Sequence, residues 1–187
     1  KNSVFEGGAK VPMMVKWPDR IEAGTENDSL IGNVDIAATL IEVAGGATPK
    51  DMSIDGCSFL PQLVSQVEPN DWRASMLIEA GNSRAIVTRD WKYIANRVPP
   101  EVAAKMAARP REVFWTGVDH HNYQTEKMYP AYWDADQLYD LNEDLYEQQN
   151  LSQYPDYQKQ LEKMQKELQL VISTLPHTFG EFGTNHD

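Results

Sequence analysis

From Val11 to Trp17 the chain is an apolar run broken only by Lys16, with Pro12 near its start, where a missing N–H is tolerated. The run predicts a buried strand. A turn-rich loop follows, Pro18-Asp19-Arg20-Ile21-Glu22-Ala23-Gly24. Apolar positions then recur with helical spacing at Ile36, Leu40 and Val43. Asp35 stands just ahead of them, able to accept the free N–H groups of a first turn. Gly45-Gly46 supplies a left-handed stop. Strand, loop and helix in this order read as the end of an α/β sheet domain.

After a connector at Asp55-Gly56-Cys57-Ser58-Phe59-Leu60-Pro61, the pattern changes near Asn70-Asp71. Ser75–Glu79, Arg84–Thr88 and Trp91–Asn96 are short β-like runs, and Arg89-Asp90 is a two-residue hairpin turn between the last two. Gln137-Leu138-Tyr139-Asp140 is a fourth such run. Together they predict a small four-stranded antiparallel sheet. Pro155–Leu175 reads as a long helix: proline occupies its first turn, and apolar residues recur at Tyr157, Leu161, Met164, Leu168, Val171 or Ile172, and Leu175. Three heptads are short for a coiled coil, so the helix is expected to pack on the small sheet. The tail from Pro176 is polar and expected to be loose. The pattern therefore predicts an α/β fold, α+β in its second half, with residues 1–70 belonging to a sheet domain and 71–187 to a small subdomain carrying helix 155–175.

Composition narrows the function classes. The chain has 187 residues, 41% hydrophobic and 10% aromatic, which is a globular balance. A formal net charge of −11 argues against nucleic acid, which favours a basic face. It gives no attraction to anionic lipid. No apolar run approaches the roughly 20 residues of a membrane helix. The single cysteine, Cys57, rules out an internal disulfide and a cysteine-rich zinc site.

Five short segments, in order, carry a resemblance. Lys1 lies five residues ahead of Glu6-Gly7-Gly8, followed by Val11-Pro12 and then Trp17-Pro18. Asn33-Val34-Asp35-Ile36 with Thr39-Leu40 comes next, then Asp55-Gly56 with Leu60-Pro61. Gln137-Leu138-Tyr139-Asp140-Leu141 follows, with Asp144, Glu147, Asn150 and Leu151 after it. Each is weak alone; in this order the chain resembles the C-terminal part of a type I sulfatase, in the alkaline phosphatase superfamily. The resemblance runs from Lys1 to about Leu175. It departs at Lys10, where the family usually has Arg, and at Ala38, where it usually has Pro. Lys10 keeps the charge but loses a bidentate fork.

The resemblance implies a sulfuric ester hydrolase, with this chain as the end of its large α/β sheet domain plus the small subdomain. Sulfate ester hydrolysis builds negative charge on the sulfuryl and leaving oxygens, so a site needs cations and positioned donors. The family implies a formylglycine nucleophile made from Cys or Ser in a Cys/Ser-x-Pro-x-Arg motif, and a calcium ion held by Asp and Asn. Cys57 has Phe59 two residues on and Pro61 four residues on, so it does not fit that motif, and no serine fits it. The calcium ligands of the family lie upstream of the Lys-Glu-Gly-Gly segment. Calcium and formylglycine are therefore expected in the intact enzyme and supplied by neither this chain nor a metal site within it. The chain alone is expected to be inactive, with a missing N-terminal part of the catalytic domain as its partner.

Lys1 matches the family's sulfate-contacting lysine. Its ammonium is a compact charge with three donors, suited to sulfate oxygens. Glu6-Gly7-Gly8 invites an anion-nest reading. A tight turn needing positive φ before a strand explains it better, with Glu6 bonding loop backbone. The insertion from Arg97 to Asp136 is rich in aromatic residues, and Val102–Ala108 reads as a short helix. Trp115 is a candidate sugar platform, and His120 and His121 are candidate hydroxyl contacts. The alternative is that the segment packs structurally. Asp134, Asp136, Asp140, Glu143 and Asp144 lack EF-hand spacing and read as a solvated face. The expected substrate is a sulfated small molecule or glycan. Two other readings stand beside it: a phosphonate or phosphate ester hydrolase of the same superfamily, and a non-catalytic glycan-binding module. Family resemblance alone suggests an extracytoplasmic or periplasmic location.

Overall fold

The computed structural model describes residues 3–47, 54–65, 69, 71–101, 104, 128–176 and 179. The chain divides into two compact units. One is Pro12–Ala74; the other joins the described residues up to Val11 to those from Ser75 onward.

The second unit is built on a four-stranded antiparallel sheet, β1 Met76–Ala80, β2 Ser83–Val87, β3 Trp91–Asn96 and β4 Asp136–Asp140, in the order β1-β2-β3-β4. Two-residue links make the first two hairpins. Ala80 pairs with Ser83 across Gly81-Asn82, where Gly81 takes φ 54°. Val87 pairs with Lys92, and the Thr88 N–H donates to the Trp91 carbonyl to close the Arg89-Asp90 turn. Period-two alternation then sorts the side chains onto two faces.

One face carries Ile86, Tyr93, Ala95 and Leu138. Helix α4, Gln158–Ile172, covers it after a 3-10 turn at Pro155–Tyr157. Leu161, Met164, Leu168 and Ile172 recur at helical spacing and are all buried. Each such side chain contributes about 1.5–3 kcal/mol by leaving water. The mixed α/β fold with a sheet packed by a C-terminal helix is as the pattern predicts.

The opposite face, with Ala85, Ile94 and Tyr139, is also covered. Val4 and Phe5 lie over it with Tyr129 and Tyr132. Phe5 stacks on Tyr129 with ring centroids 3.8 Å apart. The acidic residues near β4 are not simply solvated. Asp136 accepts from the Tyr93 hydroxyl and from Arg97, Asp140 accepts the Asn142 N–H, and Asp144 accepts the Gln149 N–H.

In the Pro12–Ala74 unit the helix expected after Asp35 is present as α2, Val34–Val43. It ends as expected: Gly45 takes φ 68°, its N–H donates to Glu42, and the Gly46 N–H donates to Ile41. A short helix, α3, spans Leu60–Val64.

Two expectations are corrected here. Val11–Trp17 is not a strand: it is irregular and open to solvent, with Met14 95% exposed. A strand requires a neighbouring edge for its N–H and C=O groups, and no described strand offers one. Asp35 does not cap the first turn of α2. Its carboxylate accepts the N–H groups of Gly32 and Cys57 and the fork of Arg73. This side chain is fully buried and ties three loop segments together. Gly56 is required by space, because a Cβ there would lie 2.0 Å from the Val34 carbonyl oxygen.

Candidate functional site

The chemistry-bearing segment near the start of the chain is one helical turn, α1, Glu6–Ala9. The backbone of Gly7 and Gly8 is not at positive φ, so the expected reason for the glycines is corrected: they are required by close approach. A Cβ on Gly7 would stand 2.9 Å from the Tyr129 hydroxyl, and one on Gly8 would stand 2.3 Å from Ser3 Oγ and 2.8 Å from the Ser3 carbonyl oxygen.

Most N–H groups of this turn are already used. Glu6 N–H donates to Glu147, Gly8 and Ala9 to the Phe5 carbonyl, and Lys10 to the Glu6 carbonyl. An anion nest needs successive unpaired N–H groups, and here those on both sides of Gly7 are paired. The turn is a structural anchor.

The Glu6 side chain shows what it is anchored to. Lys92 on β3 is fully buried, and its Nζ lies 2.8 Å from Glu6 Oε1 and 3.0 Å from Glu147 Oε1. Glu147 Oε2 accepts the Glu6 N–H at 2.6 Å. Glu6 was expected to bond loop backbone; its carboxylate instead meets the Lys92 ammonium, and it is Glu147 that takes the backbone N–H. The Lys92–Glu147 contact is an ion pair without hydrogen-bond alignment. Lys10, at 3.8 Å from Glu6 and largely exposed, adds little.

This triad holds two carboxylates and one ammonium in a site where Glu147 and Lys92 reach no solvent. Desolvation pushes the Glu147 carboxyl above its ordinary range, and the Lys92 charge opposes that rise without cancelling it. The nearby Glu6 carboxylate adds a smaller push in the same direction as burial. Glu147 also sits in the left-handed region, at φ 55°, unusual for a residue with a side chain. Removing one partner of such a buried set typically costs 3–5 kcal/mol.

Lys92 and Glu147 are the residues that sequence reasoning missed as site residues. A sign was available: Lys92 stands inside the β-like run Trp91–Asn96, where a buried lysine demands a partner. The four residues expected to touch substrate, Lys1, Trp115, His120 and His121, lie outside the described residues, as does most of the expected helix Val102–Ala108. Among the described residues no group of three His, Cys, Asp or Glu could hold a metal, and Cys57 is an exposed free thiol outside a nucleophile motif. The described side chains thus do not fit either a calcium ion or a formylglycine.

Residues 1–95 match the family model described as N-sulphoglucosamine sulphohydrolase, C-terminal. An ulvan-active sulfatase of Formosa agariphila is 36% identical over 178 residues, covering 90% of this chain and 34% of its own length. An N-acetylgalactosamine-6-O-sulfatase of Bacteroides thetaiotaomicron is 26% identical, covering 88% of this chain and 28% of its own. A protein solved in complex with its substrate D-glucosamine-2-N,6-O-disulfate shares the fold, with a TM-score of 0.57 at 23% identity over 83% of this chain and 26% of that one. The chain spans about a third of the length of the curated relatives that it matches over most of its own length. Matched over half its length by that model, this chain belongs to the sulfatase family as a C-terminal region.

Proposed function

We propose that this chain is the C-terminal region of an enzyme that hydrolyses sulfate esters of a sulfated carbohydrate. The observation that carries the reading is the 36% identity to an ulvan-active sulfatase over 90% of this chain. Two further relatives are named for, or bind, sulfated amino sugars. In this reading water and the sulfate ester give an alcohol and inorganic sulfate, and Lys1 donates to the sulfuryl oxygens as negative charge builds there. Trp115, His120 and His121 contact the sugar. The rest of the enzyme supplies the nucleophile and the calcium site.

The apolar surface of the Pro12–Ala74 unit supports a larger body around it. Met13, Met14 and Val15 on the extended segment and Val34, Ile36, Leu40 and Val43 on α2 are all exposed. Exposed apolar side chains in this number suit an interaction face, and in this reading the remainder of the catalytic domain covers them.

The test is sulfate release by the intact enzyme from ulvan and from N-acetylgalactosamine 6-sulfate. Turnover on a sulfated sugar is expected. Lys1→Ala should lower kcat/KM about 100-fold, the effect of losing one charge-stabilising donor in a site that excludes water, while leaving the melting temperature nearly unchanged. No sulfate release from any sulfated saccharide would contradict the proposal.

A further inference from the structure

We propose that Lys92 and Glu147 are positioning residues for the sulfatase reaction: through Glu6 they hold the segment that carries Lys1. This rests on the reading of Lys1 as the sulfate-binding lysine.

Three distant parts of the chain meet at the triad. Glu6 and Lys92 are 86 residues apart, and Glu6 and Glu147 are 141 apart. Lys92 sits in the middle sheet strand β3, opposite Tyr139 on β4. Glu147 lies in the turn region after β4, its backbone in the left-handed region and its side chain fully buried. A non-glycine residue persists in that conformation only where its surroundings over-determine it. What over-determines it here is the short bond to the Glu6 N–H at 2.6 Å and the Lys92 ammonium at 3.0 Å.

The clamp extends back along the chain from Glu6. Phe5 and Val4 are each 2% exposed and are locked into the aromatic cluster on the sheet. Ser3 lies so close to Gly8 that a Cβ there would overlap its hydroxyl and crowd its carbonyl. Ser3 follows Lys1 by two residues, a span of at most ~7 Å. Fixing Ser3, Val4 and Phe5 against a rigid sheet therefore limits where a side chain starting at Lys1 can reach. A misplacement of about 1 Å in a reacting or charge-stabilising group can cost as much as 100-fold in rate, so a rigid anchor matters kinetically and not only for folding.

An ion triad suits this task better than apolar packing alone. Apolar contact resists separation but slides at little cost. The triad specifies one register, because a one-residue slip of the α1 turn would take the Glu6 carboxylate from Lys92 and the Glu6 N–H from Glu147 in a buried site.

The experiment is a double-mutant cycle in the intact enzyme, read as kcat and KM on a sulfated saccharide. Glu147→Ala removes the acceptor for the Glu6 N–H and leaves the Glu6–Lys92 pair. It should lower kcat about tenfold with KM within about twofold, and Glu147→Gln, which keeps an acceptor oxygen, should recover most of that loss. In a Lys1→Ala background Glu147→Ala should lower kcat less than twofold, because there is no longer an ammonium to misplace. Lys92→Met should behave like Glu147→Ala; where it does not fold, the Glu147 pair carries the test. Equal losses in both backgrounds, or no loss from Glu147→Ala in the enzyme that keeps Lys1, would overturn the inference and leave the sulfatase reading intact. A silent Lys1→Ala removes the premise, and the inference falls with it. An enzyme releasing no sulfate at all overturns the proposed function instead.

Discussion

The two units of this chain use the same side-chain types in opposite ways. In the sheet unit apolar groups are inside: Ile86, Ile94, Leu138 and Leu168 are fully buried, and the buried charges of the triad are held between the sheet and α1. In the Pro12–Ala74 unit the buried side chains include one large apolar group, Phe59, beside the polar Asp35, Thr39 and Gln62, while Met14, Val34, Leu40 and Val64 face solvent. That unit is tied by polar bonds: Asp35 to Gly32, Cys57 and Arg73, and Thr39 between the Asp35 carbonyl and the Phe59 N–H. A polar hub fixes loop geometry with little apolar burial, so it shapes a surface without making a core. The sheet unit has its own core on both faces. The difference separates a unit with an apolar core of its own from one held chiefly by polar bonds.

The largest expected effect separates the units directly. Leu168→Ala should destabilise the chain by about 2–5 kcal/mol, through lost burial and the cavity left behind. Leu40→Ala, on the exposed face of α2, should change stability by no more than about 0.5 kcal/mol. Urea unfolding of both variants checks this. Comparable losses would erase the distinction between the units.

A smaller effect sharpens the account of the sheet unit. Burial raises the Glu147 carboxyl above its ordinary range, against the pull of Lys92. The folded state thus holds that proton more tightly than the unfolded state. The stability linked to it is fully present below the unfolded value, about pH 4.3, and is lost as pH rises through the raised folded value. Glu147→Gln cannot titrate, so its stability relative to the parent should rise over that span. Denaturant midpoints at a series of pH values measure it; a parent that gains on the glutamine variant as pH rises would refute the shift.

How much of this was legible depends on whether a pattern is local. Trp91–Asn96 is rich in aromatic and apolar residues and follows a two-residue turn, so β3 could be read directly, and its partners β1, β2 and β4 fell within a residue or so of expectation. The stripe Leu161, Met164, Leu168 gave α4 and the face it buries. Val11–Trp17 misled because an apolar run states a need for burial, not the identity of the partner edge. The exposed stripe of α2 is the same lesson in a helix. The triad was invisible for another reason. Nothing local pairs Lys92 with carboxylates 86 and 55 positions away; only its place inside an apolar strand hinted at them. Lys1 was legible only through the family resemblance, and Trp115, His120 and His121 only as members of an aromatic insertion.

The central claim is that the Glu6-Gly7-Gly8 turn is clamped to the sheet by a buried carboxylate, and amide hydrogen exchange at Glu6 tests it most directly. The first N–H of a helical turn normally bonds water and exchanges fast. Here it should be protected to the level of core amides on β3 such as Ile94, and that protection should collapse in Glu147→Ala while Ile94 stays slow. Exchange of the Glu6 amide at the rate of an open turn in the parent chain would contradict the clamp.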